Sequence, residues 1–259
     1  MKVSIVVPFH NEEKIVELTI NKLIKVMKRG DYDYEIIPID DNSNDNTGIL
    51  LDNLSKKHKR VRSMHIKNNT PGPSGLGTAL KFGFKQCSGD VIITFMGDLS
   101  DNPNDIPKFI KKVSSNFDVV CGSRFIKGGK VIGYPKIKLI CNRIYNLLFS
   151  FLFCIPTNDI SNGFKAYKKT VLHAIEPTSK GFEMTSEIVL KAHIKNFRIT
   201  EVPVSWHERE DDTESKFGSF ISPSFIFFKL PKIGFSYLEL SLKLWFKFLF
   251  KFLRQIKYE

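Results

Sequence analysis

Short β-branched runs alternate with helix-spaced apolar residues through the first half of the chain. Val3-Ser4-Ile5-Val6-Val7 predicts a buried strand. From Glu12 to Met27, the residues Ile15, Leu18, Leu23, Val26 and Met27 fall near helical spacing, and Arg29-Gly30 supplies a stop. Tyr34 to Ile39 predicts a second strand, Asn44-Asp45 caps a helix running to about Lys57, and Val61 to Ile66 is a third strand. After the Pro/Gly-rich stretch Thr70 to Gly75, a short helix reaches about Gln86. Asp90 to Phe95 is a fourth strand, Asn104 to Asn116 a helix and Phe117 to Cys121 a fifth strand. This rhythm predicts an α/β fold, a mostly parallel sheet with helices on both faces.

The second half reads differently. Lys136 to Phe153 is a long, aromatic-rich helical pattern, Gly181 to Asn196 another helix, and Arg198 to Val204 a strand. There is no internal repeat. Near residue 217 the composition shifts to Phe, Leu and Lys, so residues 1–216 are expected to fold as one domain and residues 217–259 to form a basic amphipathic tail. No uncharged run reaches the ~18 residues of a spanning helix. The initial apolar run contains Pro8 and passes into His10-Asn11-Glu12-Glu13, which is unlike a secretory leader.

Composition narrows the classes further. With 259 residues and 42% apolar content the chain can bury one substantial core, which excludes a disordered or collagen-like protein. The four cysteines (Cys87, Cys121, Cys141, Cys154) are too dispersed for a disulfide framework or zinc site, so reduced, mostly buried thiols in a cytoplasmic setting are expected. Lys plus Arg exceeds Asp plus Glu by 39 to 27, a net charge of +12 that suits an anionic partner. The cations form no nucleic-acid recognition module, so no nucleic-acid partner is expected. The histidines lack metal-ligand spacing, and no GxSxG elbow is present.

In open α/β sheets, ligands collect at the carboxyl ends of the strands. There the sequence places His10-Asn11-Glu12, then Asp40-Asp41, then Asp98 with Asp101. Asp98 and Asp101 are hard oxygen donors suited to Mg2+ or Mn2+, although Asp101 fits a helix-capping turn before Asn102-Pro103-Asn104 equally well. Gly75-Leu76-Gly77-Thr78 lacks the third glycine of a dinucleotide loop, but leaves a helix amino terminus free of bulk near a phosphate-bearing ligand. Gly122-Ser123-Arg124 brings a permanent cation to the same edge, and Arg209 and Lys216 flank an acidic stretch further on.

Together these segments resemble family 2 glycosyltransferases, in particular the dolichyl-phosphate mannose synthase-like branch. The resemblance runs from Val3 to about Lys216. It rests on Val6-Val7-Pro8-Phe9-His10-Asn11-Glu12-Glu13, Ile39-Asp40-Asp41, Leu76-Gly77-Thr78-Ala79, Met96-Gly97-Asp98-Leu99-Ser100-Asp101, Gly122-Ser123-Arg124-Phe125, Asn158 to Lys165 and Glu201-Val202-Pro203-Val204. It implies a GT-A fold and a nucleotide-sugar donor whose nucleoside is held by Pro8, His10, Glu12, Asp40, Asp41 and Gly77. Asp98 is the implied metal ligand, for Mg2+ or Mn2+. The usual Asp-x-Asp reads Met96-Gly97-Asp98 here, so the first carboxylate is missing.

The branch also implies inverting transfer to a polyprenyl phosphate. A phosphate monoester is already anionic near neutral pH, so its attack needs no dedicated base, in contrast to a sugar hydroxyl. Arg124, Arg209 and Lys216 are the expected acceptor-phosphate cations. Asp98, Arg124 and Asp159 are the expected catalytic residues, with Asp159 or Glu187 as base if the acceptor is instead a hydroxyl of a surface polysaccharide. A non-catalytic nucleotide-sugar-binding protein is a third reading. Two segments could reach lipid: the apolar Ile144–Phe153, which fits a core helix equally well, and the tail, where Lys243, Lys247, Lys251 and Arg254 share a helical face. Peripheral or monotopic attachment at the cytoplasmic face of a membrane is the corresponding expectation.

Overall fold

The computed structural model describes residues 1–67, 72–208, 239–240 and 244–245. In chain order the elements are β1 (Val3–Phe9), α1 (Val16–Arg29), β2 (Tyr34–Asp41), α2 (Thr47–Lys57), β3 (Met64–Ile66), α3 (Leu76–Gln86) and β4 (Val91–Thr94). A 3-10 turn at Pro103–Asp105 leads into α4 (Ile106–Ser114), followed by β5 (Val119–Ser123), β6 (Lys130–Ile132) and α5 (Lys136–Phe153). Then come β7 (Lys165–Lys168), α6 (Lys169–Ile175), α7 (Met184–Ile194), β8 (Ile199–Pro203) and β9 (Ser205–His207).

Seven strands form one sheet in the order β3-β2-β1-β4-β7-β5-β8, and β6 pairs with β9 in a small second sheet. Every pairing in the large sheet is parallel except those of β7, which runs against both β4 and β5. Alternate strand residues serve two cores, as a period of two requires. Val3, Ile5 and Val7 face α1, α2 and α4, whereas Val6, Ile37 and Ile39 face α3, α5, α6 and α7. Helices therefore cover both faces, as the alternation predicts.

The structure departs from the sequence-based expectations at the start of α1, at Leu18, at β7 and at two of the cysteines. Helix α1 begins at Val16 rather than Glu12, because the preceding amides are already paired with the β2–α2 loop. Asn11 N donates to Ser43 Oγ at 3.0 Å, Glu12 N to Thr47 Oγ1 at 2.8 Å and Glu13 N to Asp45 Oδ2 at 3.1 Å. Leu18 lies on the exposed side of α1, whose inner face is Val16, Ile20, Leu23, Ile24 and Met27. Strand β7 was not foreseen, because a central strand that opens on a lysine breaks the apolar rule. Lys165 is fully buried and donates to the carbonyls of Ile160, at 3.0 Å, and Asn162; burial pulls its pKa down to about 8. Cys87 and Cys121 are buried as expected, whereas Cys141 and Cys154 are exposed.

Candidate donor and acceptor site

Strands β1, β2 and β4 are adjacent and parallel, so their carboxyl ends share one edge. The register sets Phe9 opposite Asp40. His10 donates from Nδ1 to the Asp41 carbonyl at 2.8 Å, which leaves Nε2 to accept from the Asn11 amide at 3.3 Å. The Asp41 carboxylate accepts from Ser74 N at 2.9 Å, from Ser74 Oγ and from Gly75 N at 3.3 Å, tying the loop before α3 to the end of β2. Asp40 accepts from Ser43 N at 3.1 Å and meets His65 at 3.2 Å. The other ring nitrogen of His65 lies 2.9 Å from Asp52. Burial alone would make His65 a weaker base, but its bonds to Asp52 and Asp40 outweigh that and raise its pKa.

Gly77 opens α3 against the 178–181 segment. A methyl group there would lie 2.7 Å from the Ser179 carbonyl oxygen, and Thr78 N donates to Lys180 O at 3.2 Å. This helix end is thus partly capped by backbone. Glu187, fully buried, holds the same segment: it accepts from Thr178 N at 2.9 Å and Ser179 N at 2.8 Å and pairs with Lys191 at 2.5 Å. Burial works against its charge, but these donors prevail and hold its pKa down at about 2.

Beyond β4, a methyl group at Gly97 would lie 2.6 Å from the Pro8 carbonyl oxygen, so glycine alone lets this exit press against the end of β1. Asp98 is thereby set beside the Pro8–Glu12 segment, with Leu99 in the left-handed region at φ 55°. Asp98 Oδ1 accepts from Ser100 N at 3.1 Å and Ser100 Oγ at 2.7 Å. Asp101 is 2% exposed, and its Oδ1 has no hydrogen-bond partner. Burial first, and the nearby Asp98 charge second, push its pKa up to about 8.

Arg124 follows β5 directly and is buried. Its Nε donates to Asp159 Oδ2 at 2.7 Å, its Nη2 to Asp159 Oδ1 at 2.8 Å, and its backbone N to Oδ2 at 3.1 Å. Asp159 is fully buried, so both oxygens of this carboxylate are committed to Arg124 and neither faces solvent. Nη2 also reaches Asn142 Oδ1 on α5 at 3.3 Å. Asn146, one turn on and 1% exposed, donates to Asn142 Oδ1 at 2.8 Å and accepts from Ser161 N at 3.1 Å. Asn142 and Asn146 were missed in the sequence, where the signal was two amides four apart in an apolar helix.

The outer side of α5 is apolar and open to solvent, from 50% exposure at Leu148 to 81% at Phe151, with Ile137, Ile140, Ile144 and Leu147 between. Phe149 and Phe153 point inward. The segment is therefore both a core helix and an exposed apolar face. No helix among the described residues is long and apolar enough to cross a membrane. Arg209, Lys216 and the tail cations Lys243, Lys247, Lys251 and Arg254 lie outside the described residues. Of the tail, Leu244 is buried against the α3/α5/α7 side of the sheet, with Leu240 and Trp245 packed on the same cluster.

The residues fit a divalent cation that is completed by a ligand. Asp98 and Asp101 are neighbouring hard oxygen donors, and the orphaned, buried Oδ1 of Asp101 is an atom that a cation would satisfy. Among the described residues no group of three or more His, Cys, Asp or Glu could hold a metal unaided. Donor phosphates would have to supply the rest of the shell.

A mostly parallel sheet carries acids along one edge with an anchored arginine beside them, the arrangement that the sequence resemblance leads one to expect. Residues 4–175 match Glycosyl transferase family 2, and the chain belongs to that family. It is 31% identical over 212 residues to the dolichol-phosphate mannosyltransferase of Pyrococcus furiosus, covering 80% of this chain and 56% of that one. The chain thus spans little more than half the length of that relative. It is 28% identical to the polyprenol monophosphomannose synthase of Mycolicibacterium smegmatis, over 84% of this chain and 82% of the relative. A glucosyl-3-phosphoglycerate synthase from Mycobacterium tuberculosis, solved with Mn2+, UDP and glucosyl-3-phosphoglycerate, superposes with a TM-score of 0.62 at 18% identity, covering 96% of this chain and 79% of that one. That likeness is one of fold, the GT-A fold.

Proposed function

We propose that this glycosyltransferase moves a sugar, with inversion, from a nucleotide-diphosphate sugar to a polyprenyl phosphate at a membrane surface. One observation carries the reading: the helix that presents the exposed apolar face is the helix that reaches Arg124, through Asn142. A lipid-borne acceptor requires that juxtaposition, and a soluble one does not. The relatives named for dolichol and polyprenol phosphates support the same acceptor class.

In this scheme Pro8, His10, Glu12, Asp40, Asp41 and Gly77 shape the nucleoside pocket, Asp40 and Asp41 by fixing its loops. Asp98, with Asp101 behind it, would hold Mg2+ or Mn2+, which when bound supplies charge neutralisation at the departing diphosphate. An acceptor phosphate oxygen attacks the anomeric carbon as the bond to the nucleoside diphosphate breaks. Arg124 faces that phosphate, and Asp159 serves as its positioning partner. Arg209 and Lys216 are the further cations of this acceptor set. Neither Asp159 nor Glu187 exposes a carboxylate oxygen, which weighs against these two as the base of a hydroxyl-acceptor reaction. Apolar α5 and the basic tail would attach the domain peripherally, at a cytoplasmic membrane face.

The test is incubation with labelled GDP-mannose or UDP-sugars, Mn2+ and polyprenyl phosphate. A solvent-extractable labelled lipid is expected. Label that remains with glycan would favour the hydroxyl reading, and donor binding without any turnover would favour a binding protein.

A further inference from the structure

His65 lies on the edge strand β3, between carboxylates from two other elements. Its Nδ1 is 3.2 Å from Asp40 Oδ2 at the end of β2, and its Nε2 is 2.9 Å from Asp52 Oδ1 on α2. Ionised carboxylates only accept hydrogen bonds, and a neutral imidazole has a single N–H. Both contacts are therefore hydrogen bonds only when the ring is the imidazolium, with an N–H at each end. Ser63 Oγ donates to the same Asp52 oxygen at 2.7 Å, and Lys56, one turn along α2, is a cation acting on Asp52. Exposed Lys67 follows two residues after His65. From Asp40 the contacts continue to the nucleoside edge: its Oδ1 accepts from Ser43 N at 3.1 Å, and Ser43 Oγ accepts from Asn11 N at 3.0 Å. Asn11 Oδ1 in turn accepts from Asn44 N at 2.8 Å.

We infer that His65 is a positioning residue for the nucleotide sugar: as the imidazolium it holds Asp40, and through Asp40 the Ser43–Asn11 contact, in the arrangement that admits an anionic diphosphate. This rests on the nucleotide-sugar reading above and adds a residue to it. A neutral ring keeps one N–H, which stays with Asp52, the shorter contact. Asp40, with its side chain only 12% exposed, would then stand as a carboxylate without its cation, beside a ligand that is itself anionic. Like charges so placed repel, so the proton on His65 favours the nucleotide sugar. Linkage makes the effect reciprocal, and the bound nucleotide sugar must favour the proton by the same factor. Burial opposes the charge on His65, but its bonds to Asp52 and Asp40 outweigh that and raise its pKa. Histidine suits the role because it exchanges its proton near neutral pH.

Calorimetry with GDP-mannose and with UDP-glucose, in the presence of Mg2+ and without acceptor, tests the inference across the neutral range. Both phosphates of a nucleotide sugar are esterified, so the probe itself gains no phosphate proton there. The wild type is expected to bind at least about 5-fold more tightly than His65→Gln in mildly acidic buffer, with the ratio falling towards one in mildly alkaline buffer. A ratio that does not change with pH marks a merely structural role and overturns the inference, as does equal binding throughout. A second readout needs no variant. The imidazole resonances of His65, followed by NMR, should titrate about 0.7 pH unit higher with saturating nucleotide sugar, which is the same 5-fold expressed as proton affinity. An unchanged or lowered titration point overturns the inference, and this measurement decides should His65→Gln not fold. If neither nucleotide sugar binds at any pH, the nucleotide-sugar reading falls and takes the inference with it. Binding that is indifferent to His65 leaves that reading standing and refutes the positioning role alone.

Discussion

Arg124 and Asp159 form a buried two-point ion pair at the end of β5, with side chains 6% and 0% exposed and N–O distances of 2.7 and 2.8 Å. Removing one member strands the other's charge away from water. Asp159→Ala is therefore expected to cost about 3 kcal/mol, which corresponds to a fall of about 6–12 °C in thermal midpoint for a domain of this size. Replacing both residues with apolar ones of similar volume should restore much of that stability while leaving the protein inactive. Scanning calorimetry on the single and double variants checks both outcomes.

The bridge from Asp40 through His65 to Asp52 predicts a pH-dependent contribution to stability. The folded pKa of His65 is raised, so its stabilisation is complete below the unfolded value and is lost as pH rises through the folded one. The thermal midpoint of the wild type should exceed that of His65→Gln most clearly near pH 5.5, and the gap should narrow by pH 8.5. A gap that widens towards alkaline pH would contradict the bridge.

Glu187 has the opposite sign. Its folded pKa is depressed from 4.5 to about 2, so its contribution is present above 4.5 and disappears as pH falls through about 2. Glu187→Gln should lower the thermal midpoint at neutral pH and converge on the wild type in acid. Gly77→Ala presses on the loop that Glu187 holds, and overpacking there should cost about 1–3 kcal/mol, measurable by denaturant titration.

Asp98→Asn should weaken Mn2+ binding in the presence of nucleoside diphosphate by at least about 10-fold. Met96→Asp, which supplies the missing first carboxylate, should tighten it. Electron paramagnetic resonance of free Mn2+ reads both changes independently of catalysis. Unaltered affinity in Asp98→Asn would remove that carboxylate from the cation's shell.

The exposed side of α5 can be altered without disturbing the core, since Ile144 and Phe151 are 61% and 81% exposed. The double substitution Ile144→Glu, Phe151→Glu should reduce co-sedimentation with anionic phospholipid vesicles by at least about 10-fold, given about 1.5–3 kcal/mol for each large apolar side chain buried. The thermal midpoint should stay unchanged. Undiminished vesicle binding would leave α5 without a role at the membrane.

What the sequence revealed depended on whether local chemistry agreed with the final packing. The bounds Lys136–Phe153 of α5 coincide with the predicted pattern, because a long, aromatic-rich helical pattern carries its own signal. Asp98 and Arg124 could be assigned to one sheet edge from sequence because each follows a strand end, where ligands meet α/β sheets. Lys165 hid β7, since its charge is met by carbonyls from a loop that pattern alone cannot locate. The start of α1 was misplaced for a similar reason: the amides of Asn11, Glu12 and Glu13 are claimed by residues more than thirty positions away. The commitment of Asp159 to Arg124 spans 35 positions and likewise depends on topology.

The reversal of β7 has an architectural consequence. Because it runs against β4 and β5, the excursion from Ser123 to Lys165 leaves and re-enters the sheet at the same rim. That excursion contains β6, α5 and the Asp159 loop, so all three are inserted at a single rim and interrupt no strand of the large sheet. On the function proposed above, changes within this insertion would alter the acceptor side and leave the edge formed by β1, β2 and β4 as it is.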